Sequence, residues 1–115
     1  MENKRRLIRL EVKDFIEIRP LNEVGAYIKS QSTNFSLMGV CFSSPREWQK
    51  GQVLLVDYFI PEELDSVRLK VVVVWSELID SKNGYFCGGK VIDVEEAKQE
   101  KFANYYFKQL KNRFF

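Results

Sequence analysis

The 115 residues contain no histidine, and that absence removes more chemistry than any single residue present supplies. Ser-His-Asp and Cys-His catalysis, the common imidazole zinc sites and any switch driven by imidazole protonation near neutral pH all need the missing side chain. Cysteine is scarce as well. Cys41 and Cys87 lie in the apolar stretches GVCF and YFCGG, far apart and without metal-ligand spacing, so they read as buried free thiols of a reducing compartment. No apolar run approaches the ~20 residues of a membrane helix. The longest is VVVVW at 71–75, and MENKRRLIRLEV puts charge where a signal peptide needs an apolar core. The expectation is a cytoplasmic chain without membrane insertion.

What is present describes one domain. With 45% hydrophobic residues and a net charge of +2, the chain is too apolar for disorder, long enough for a single core and too short for two. Residues 1–115 are therefore expected to form one unit. Charge is segregated along it. Lys4, Arg5, Arg6 and Arg9 dominate residues 1–9, and Lys98, Lys101, Lys108, Lys111 and Arg113 dominate residues 97–115, which leaves an acidic body between two basic ends. Basic ends suit an anionic partner.

Short runs rich in Val, Ile, Phe and Tyr alternate with turn signals about every ten residues, the pattern of a sandwich or small barrel. Strands are expected at 11–19, stopped by Pro20; at 26–31 and 35–42, flanking SQSTN; at 52–60, closed by Pro61; and at 67–79 and 85–94. The run VVVVW predicts a strand buried on both faces. Asn83-Gly84 predicts a two-residue type I′ hairpin leading into the last strand. Beyond it, Phe102, Ala103, Tyr106, Phe107, Leu110 and Phe114 recur at helical spacing. They predict an amphipathic C-terminal helix with a capping box of Asp93 and Glu96, its aromatic stripe packed on the barrel or across one open end. Trp75 is expected in the core rather than as a base-stacking platform, although its strand could border a site, with Tyr27, Tyr58 and Tyr85 as packing residues and Glu62, Glu63 and Asp65 as a solvated turn.

Two patterns carry a function. Arg5-Arg6-Leu7-Ile8-Arg9 contains RxxxR through Arg5 and Arg9, and Asn34-Phe35-Ser36-Leu37-Met38-Gly39 reads NxSxxG. By chance RxxxR arises in about a quarter of chains this long and [D/N]xSxxG in about one in twenty; both, in this order around one expected hairpin, arise in about one in a thousand. In VVVVWSELIDSKNGYFCGGKVIDV a Val-Trp strand leads into Tyr85, Gly88, Val91, Ile92 and Asp93. With these features the sequence resembles the PilZ domain family over nearly its whole length. The resemblance implies an all-β fold with a terminal helix: a six-stranded antiparallel β-barrel plus a C-terminal α-helix. It also implies a non-catalytic receptor for the bacterial second messenger cyclic di-GMP, with no catalytic and no metal-binding residues. Val91 stands where the family often has Phe.

By the same resemblance, Arg5 and Arg9 meet the phosphates and the Hoogsteen edge of a guanine, Arg6 makes a third contact, and Asn34, Ser36 and Gly39 form the opposite wall. Residues 1–10 are then a flexible basic leader that closes over the ligand, 11–94 the barrel and 95–115 the helix. Lys4 occupies the position that in the family influences whether one ligand molecule or a stacked pair binds. The chemistry fits these roles. A guanidinium bridges guanine O6 and N7 with two parallel hydrogen bonds and stays charged at every physiological pH. Asn34 offers a donor and an acceptor, though a neutral acceptor is weaker than a carboxylate, and Gly39 lets the backbone approach where a Cβ would clash. Expected partners are cyclic di-GMP and a downstream protein, in motility, adhesion or polysaccharide export, with the chain a monomer or homodimer and no DNA or RNA bound. Two readings compete: a PilZ-fold adaptor of the type IV pilus kind, whose members typically lack both motifs, and a small barrel binding single-stranded nucleic acid.

Overall fold

Alternation of apolar and polar residues produces six strands in the computed structural model, which describes residues 8–25 and 27–114. They are β1 (Phe15–Pro20), β2 (Ile28–Phe35), β3 (Gly39–Ser44), β4 (Val53–Ile60), β5 (Asp65–Asp80) and β6 (Gly84–Val94), followed by the helix α1 (Gln99–Phe114). The strands pair antiparallel in the order β1-β2-β3-β6-β5-β4, and β4 pairs back onto β1 to close a barrel. Closure satisfies the backbone of both would-be edges. Ile16, Ile18, Val40, Phe42, Leu54 and Val56 point inward, none more than 1% exposed.

In β5 the alternation settles how VVVVW is buried. Val71 and Val73 face the core, Val72 is half-buried, and Val74 and Trp75 are 39% and 37% exposed. The strand is thus buried on one face, and Trp75 is not a core residue. SQSTN, expected between strands, lies within β2, where Ser32 and Asn34 register with Phe42 and Cys41. The closing hairpin also differs from expectation. Asp80 pairs with Gly84, which leaves a loop of Ser81, Lys82 and Asn83. The Asp80 carboxylate accepts from the backbone N–H of Lys82 and Asn83 at 2.8 and 2.6 Å and from the Asn83 amide at 2.8 Å, so Gly84 alone adopts a left-handed φ of 80°. A side-chain acceptor has turned a two-residue turn into a three-residue one with glycine at its end.

The helix plugs one mouth of the barrel. Phe102, Tyr105 and Tyr106 are buried, with Tyr105 and Tyr106 each 5.7 Å from Phe35, and Phe102 5.7 Å from Tyr58, between ring centroids. Phe107 and Phe114, expected in this stripe, are 49% and 58% exposed. Tyr105 takes the inner place because its hydroxyl donates to buried Asp14 at 2.7 Å, as does that of Tyr58 at 2.7 Å. Burial first, then the neighbouring Asp14 carboxyl, pushes both hydroxyls well above the ordinary value of 10.0, so they remain donors. No capping box forms: Asp93 belongs to β6, and a short 3₁₀ turn, Glu96–Lys98, precedes α1 without a side-chain cap. Lys98 and Lys101 instead tie this end of the helix to Asp65 at 2.9 and 2.7 Å, and their hydrogen bonds hold its carboxyl well below the ordinary 3.8. At the opposite end, in the β3–β4 connection, Trp48 is buried under the Arg46 guanidinium, 4.1 Å from its ring centroid.

Candidate functional site

The NxSxxG hexamer spans the β2–β3 turn, and each of its polar positions has a distinct place. Asn34 is near the end of β2 and half-buried, while Gly39 opens β3. Ser36 is buried in the turn between them. Its N–H donates to Gly39 O at 2.8 Å, and its hydroxyl accepts from the Met38 N–H at 3.1 Å, the local bond that lets serine hold a turn. The Met38 carbonyl then accepts from Val91 N–H at 2.9 Å, which ties the turn to β6.

The chain before β1 is fastened against this turn. Leu10, 1% exposed, exchanges two backbone hydrogen bonds with Phe35, at 2.8 and 3.0 Å, and the buried Tyr106 hydroxyl donates to Ile8 O at 2.6 Å. Arg9, between Ile8 and Leu10, is thereby aimed along the outer barrel wall. Its Nη1 donates to Asn34 Oδ1 at 3.3 Å and to Cys41 Sγ at 3.0 Å. A Cβ added at Gly39 would lie 3.0 Å from Arg9 Nη2 and 3.1 Å from Gly89 O, so the bare backbone at Gly39 makes room for the guanidinium. Arg9, Asn34 and Gly39, from two motifs distant in sequence, thus meet at one place. Arg5 and Arg6, with Lys4, lie outside the described residues.

Register extends this surface beyond the two motifs. Gly39 pairs with Lys90, and Cys41 with Gly88, which in turn pairs with Trp75 of β5. Lys90 is exposed beside Gly39, a cation that the motif reading did not single out. A Cβ on Gly88 would come within 2.4 Å of the Trp75 ring, so the indole lies directly on the strand, 5.3 Å from Phe86 between centroids. With neighbouring strands ~4.8 Å apart, the Trp75 backbone is about 10 Å across the wall from Cys41, and its indole, lying over Gly88, reaches back to about one strand spacing from it. The wall therefore offers a guanidinium, an ammonium, an amide and a flat aromatic group over the span of a small dinucleotide.

A groove of about 500 Å³ elsewhere on the barrel, lined by Asp57, Arg68, Lys70, Asp93, Glu95 and Lys98 among others, suits an anion less well, since its carboxylates match its cations in number and Lys98 is already paired with Asp65. Asp57 grips Arg68 through two hydrogen bonds at 2.9 and 3.2 Å and raises its pKa, while Asp93 and Glu95 add negative charge. Among the described residues, no group of three or more Cys, Asp or Glu side chains is arranged to hold a metal ion, and no helix is long and apolar enough to cross a membrane.

Compared with known families, residues 3–108 match the one described as PilZ domain. No curated protein sequence matches the chain. Among solved structures, the fold is similar to that of the Bacillus subtilis inhibitor of motility (MotI/DgrA), with a TM-score of 0.77 and 17% sequence identity. That likeness covers 99% of this chain and 55% of the other, so the chain spans about half the length of the protein it matches. At this identity the likeness establishes the fold.

Proposed function

The chain belongs to the PilZ domain family, whose members are generally non-catalytic receptors for cyclic di-GMP, and from that premise we propose that it binds this dinucleotide on the outer wall formed by β2, β3, β6 and β5. One observation carries the reading: Arg9 of RxxxR rests on Asn34 and over Gly39 of NxSxxG. A ligand with two phosphates and two guanines needs fixed cations, paired donors for a Hoogsteen edge and a flat surface for a base. Arg9, with Arg5 and Arg6 from the same segment, supplies the charge and the planar donors. Lys90 adds a point charge, and the Asn34 amide pairs with a base edge or the ribose-phosphate. Ser36 acts by fixing the turn that presents Asn34 and Gly39. Trp75 offers one exposed ring face for stacking, an interaction worth about 1 to 3 kcal/mol per base. The signal passes to a partner protein.

Isothermal titration with cyclic di-GMP tests this, with GTP and a short single-stranded oligonucleotide as controls. Saturable binding of cyclic di-GMP alone is expected. Arg9→Ala weakens it by about 1 to 3 kcal/mol, the worth of one bidentate arginine-guanine pair, and Arg9→Lys recovers little because an ammonium lacks the planar fork. Absence of heat with the wild-type chain overturns the receptor reading and leaves the adaptor; preference for the oligonucleotide points to a nucleic-acid binder.

A further inference from the structure

Cys41 sits between Val40 and Phe42, both of which turn into the barrel, so its thiol belongs to the outer wall. An outer-wall side chain is ordinarily accessible. This one is 4% exposed, and the exposed Arg9 lies against it with Nη1 3.0 Å from the sulfur. The same nitrogen reaches Asn34 Oδ1 at 3.3 Å, and Asn34 is the register partner of Cys41 on the adjacent strand. One guanidinium nitrogen is therefore held by two acceptors, while the backbone on either side is held by the Tyr106–Ile8 bond and the Leu10–Phe35 bridge. Because the guanidinium is planar, fixing one nitrogen and the root of the side chain fixes the direction of the other donors.

Resting on the receptor reading, we propose that Cys41 is a positioning residue: its sulfur, together with Asn34, orients the Arg9 guanidinium on the outer wall so that its other donors are ready for the dinucleotide. Ordering a long side chain before binding removes that cost from the binding step. Cys87 does not share the role. It registers with Phe42, faces the core with no measurable exposure, and approaches Ser76 Oγ at 3.4 Å.

The test compares Cys41→Val, which keeps an apolar side chain of similar size and removes the acceptor, with Cys41→Ser, which restores an acceptor. Cyclic di-GMP affinity is measured by calorimetry and folding by thermal melting. Cys41→Val is expected to bind about three- to tenfold more weakly, the worth of one hydrogen bond from the guanidinium to sulfur, a weak acceptor, and Cys41→Ser to recover most of that loss. In an Arg9→Ala background the difference between the two variants disappears, which a purely structural role in the barrel would not produce. Wild-type affinity in Cys41→Val, or a loss that persists in full without Arg9, overturns the proposal. A wild-type chain that binds no cyclic di-GMP fails the receptor reading itself, and the positioning role with it. The contact is separately read from alkylation of Cys41 by iodoacetamide: faster in Arg9→Ala than in wild type if the guanidinium covers the thiol, equal if it does not.

Discussion

A single nitrogen of Arg9 donates to an amide oxygen and a sulfur on neighbouring strands, and that bond pair brings RxxxR and NxSxxG together. Its counterpart across the wall is a missing side chain. Gly88 leaves just enough depth for the Trp75 ring, and a methyl group there would come within 2.4 Å of it. Gly88→Ala is therefore expected to lift the indole off the strand. Because the ring's outer side is open, the fold loses only about 1 kcal/mol, the lower end of overpacking costs. The tryptophan emission moves to longer wavelength as the ring meets water, and cyclic di-GMP affinity falls further than stability does. Unchanged emission and affinity would show that the indole has no part in the site. A linear reading puts Trp75 on a strand that could border the site but assigns its side chain to the core: the register shift between Val73 and Trp75 places it opposite Gly88, and periodicity does not reveal a bulge.

The C-terminal helix was legible as a helix, with Phe102, Tyr106 and Leu110 on its inner face, but one edge of that face was not. Spacing favours Phe107 for the inner face, yet Tyr105 is inside because buried Asp14 accepts its hydroxyl together with that of Tyr58. Hydrophobicity ranks Phe above Tyr, whereas a buried carboxyl needs donors. This contact predicts a pH dependence. Tyr58 and Tyr105 keep their protons in the folded state above the ordinary 10.0, where tyrosines of the unfolded chain lose theirs. The unfolded chain then binds fewer protons than the folded one, so this stabilisation is complete below pH 10.0 and declines as pH rises above it. Tyr105→Phe is expected to cost about 1 to 3 kcal/mol at neutral pH by leaving a buried acceptor short of a partner. It also makes the alkaline decline shallower. Urea unfolding at neutral pH and above pH 10 measures both effects, and an alkaline slope equal to that of wild type would contradict the assignment.

A closed barrel with α1 across one mouth and Trp48 buried at the other leaves the outer wall as the surface for a ligand of dinucleotide size. The strand-rich middle, the final helix and the two motif strings were readable because each is a local pattern of side chains. Their convergence is a matter of tertiary pairing. Leu10 bridges to Phe35 although the hydrophobic pattern made residues 11–19 a strand, and Lys90 reaches the site only through its pairing with Gly39. The central claim is that these distant pieces form one binding surface. Amide NMR during titration with cyclic di-GMP tests it most directly. The backbone signals of Arg9, Asn34, Gly39 and Cys41 and the Trp75 indole N–H are expected to move together to a common saturation point, while those of Asp57 and Arg68 in the groove on β4 and β5 stay in place. A spectrum unchanged at saturating ligand, or one in which the Asp57–Arg68 groove moves and Arg9 and Asn34 do not, would contradict it.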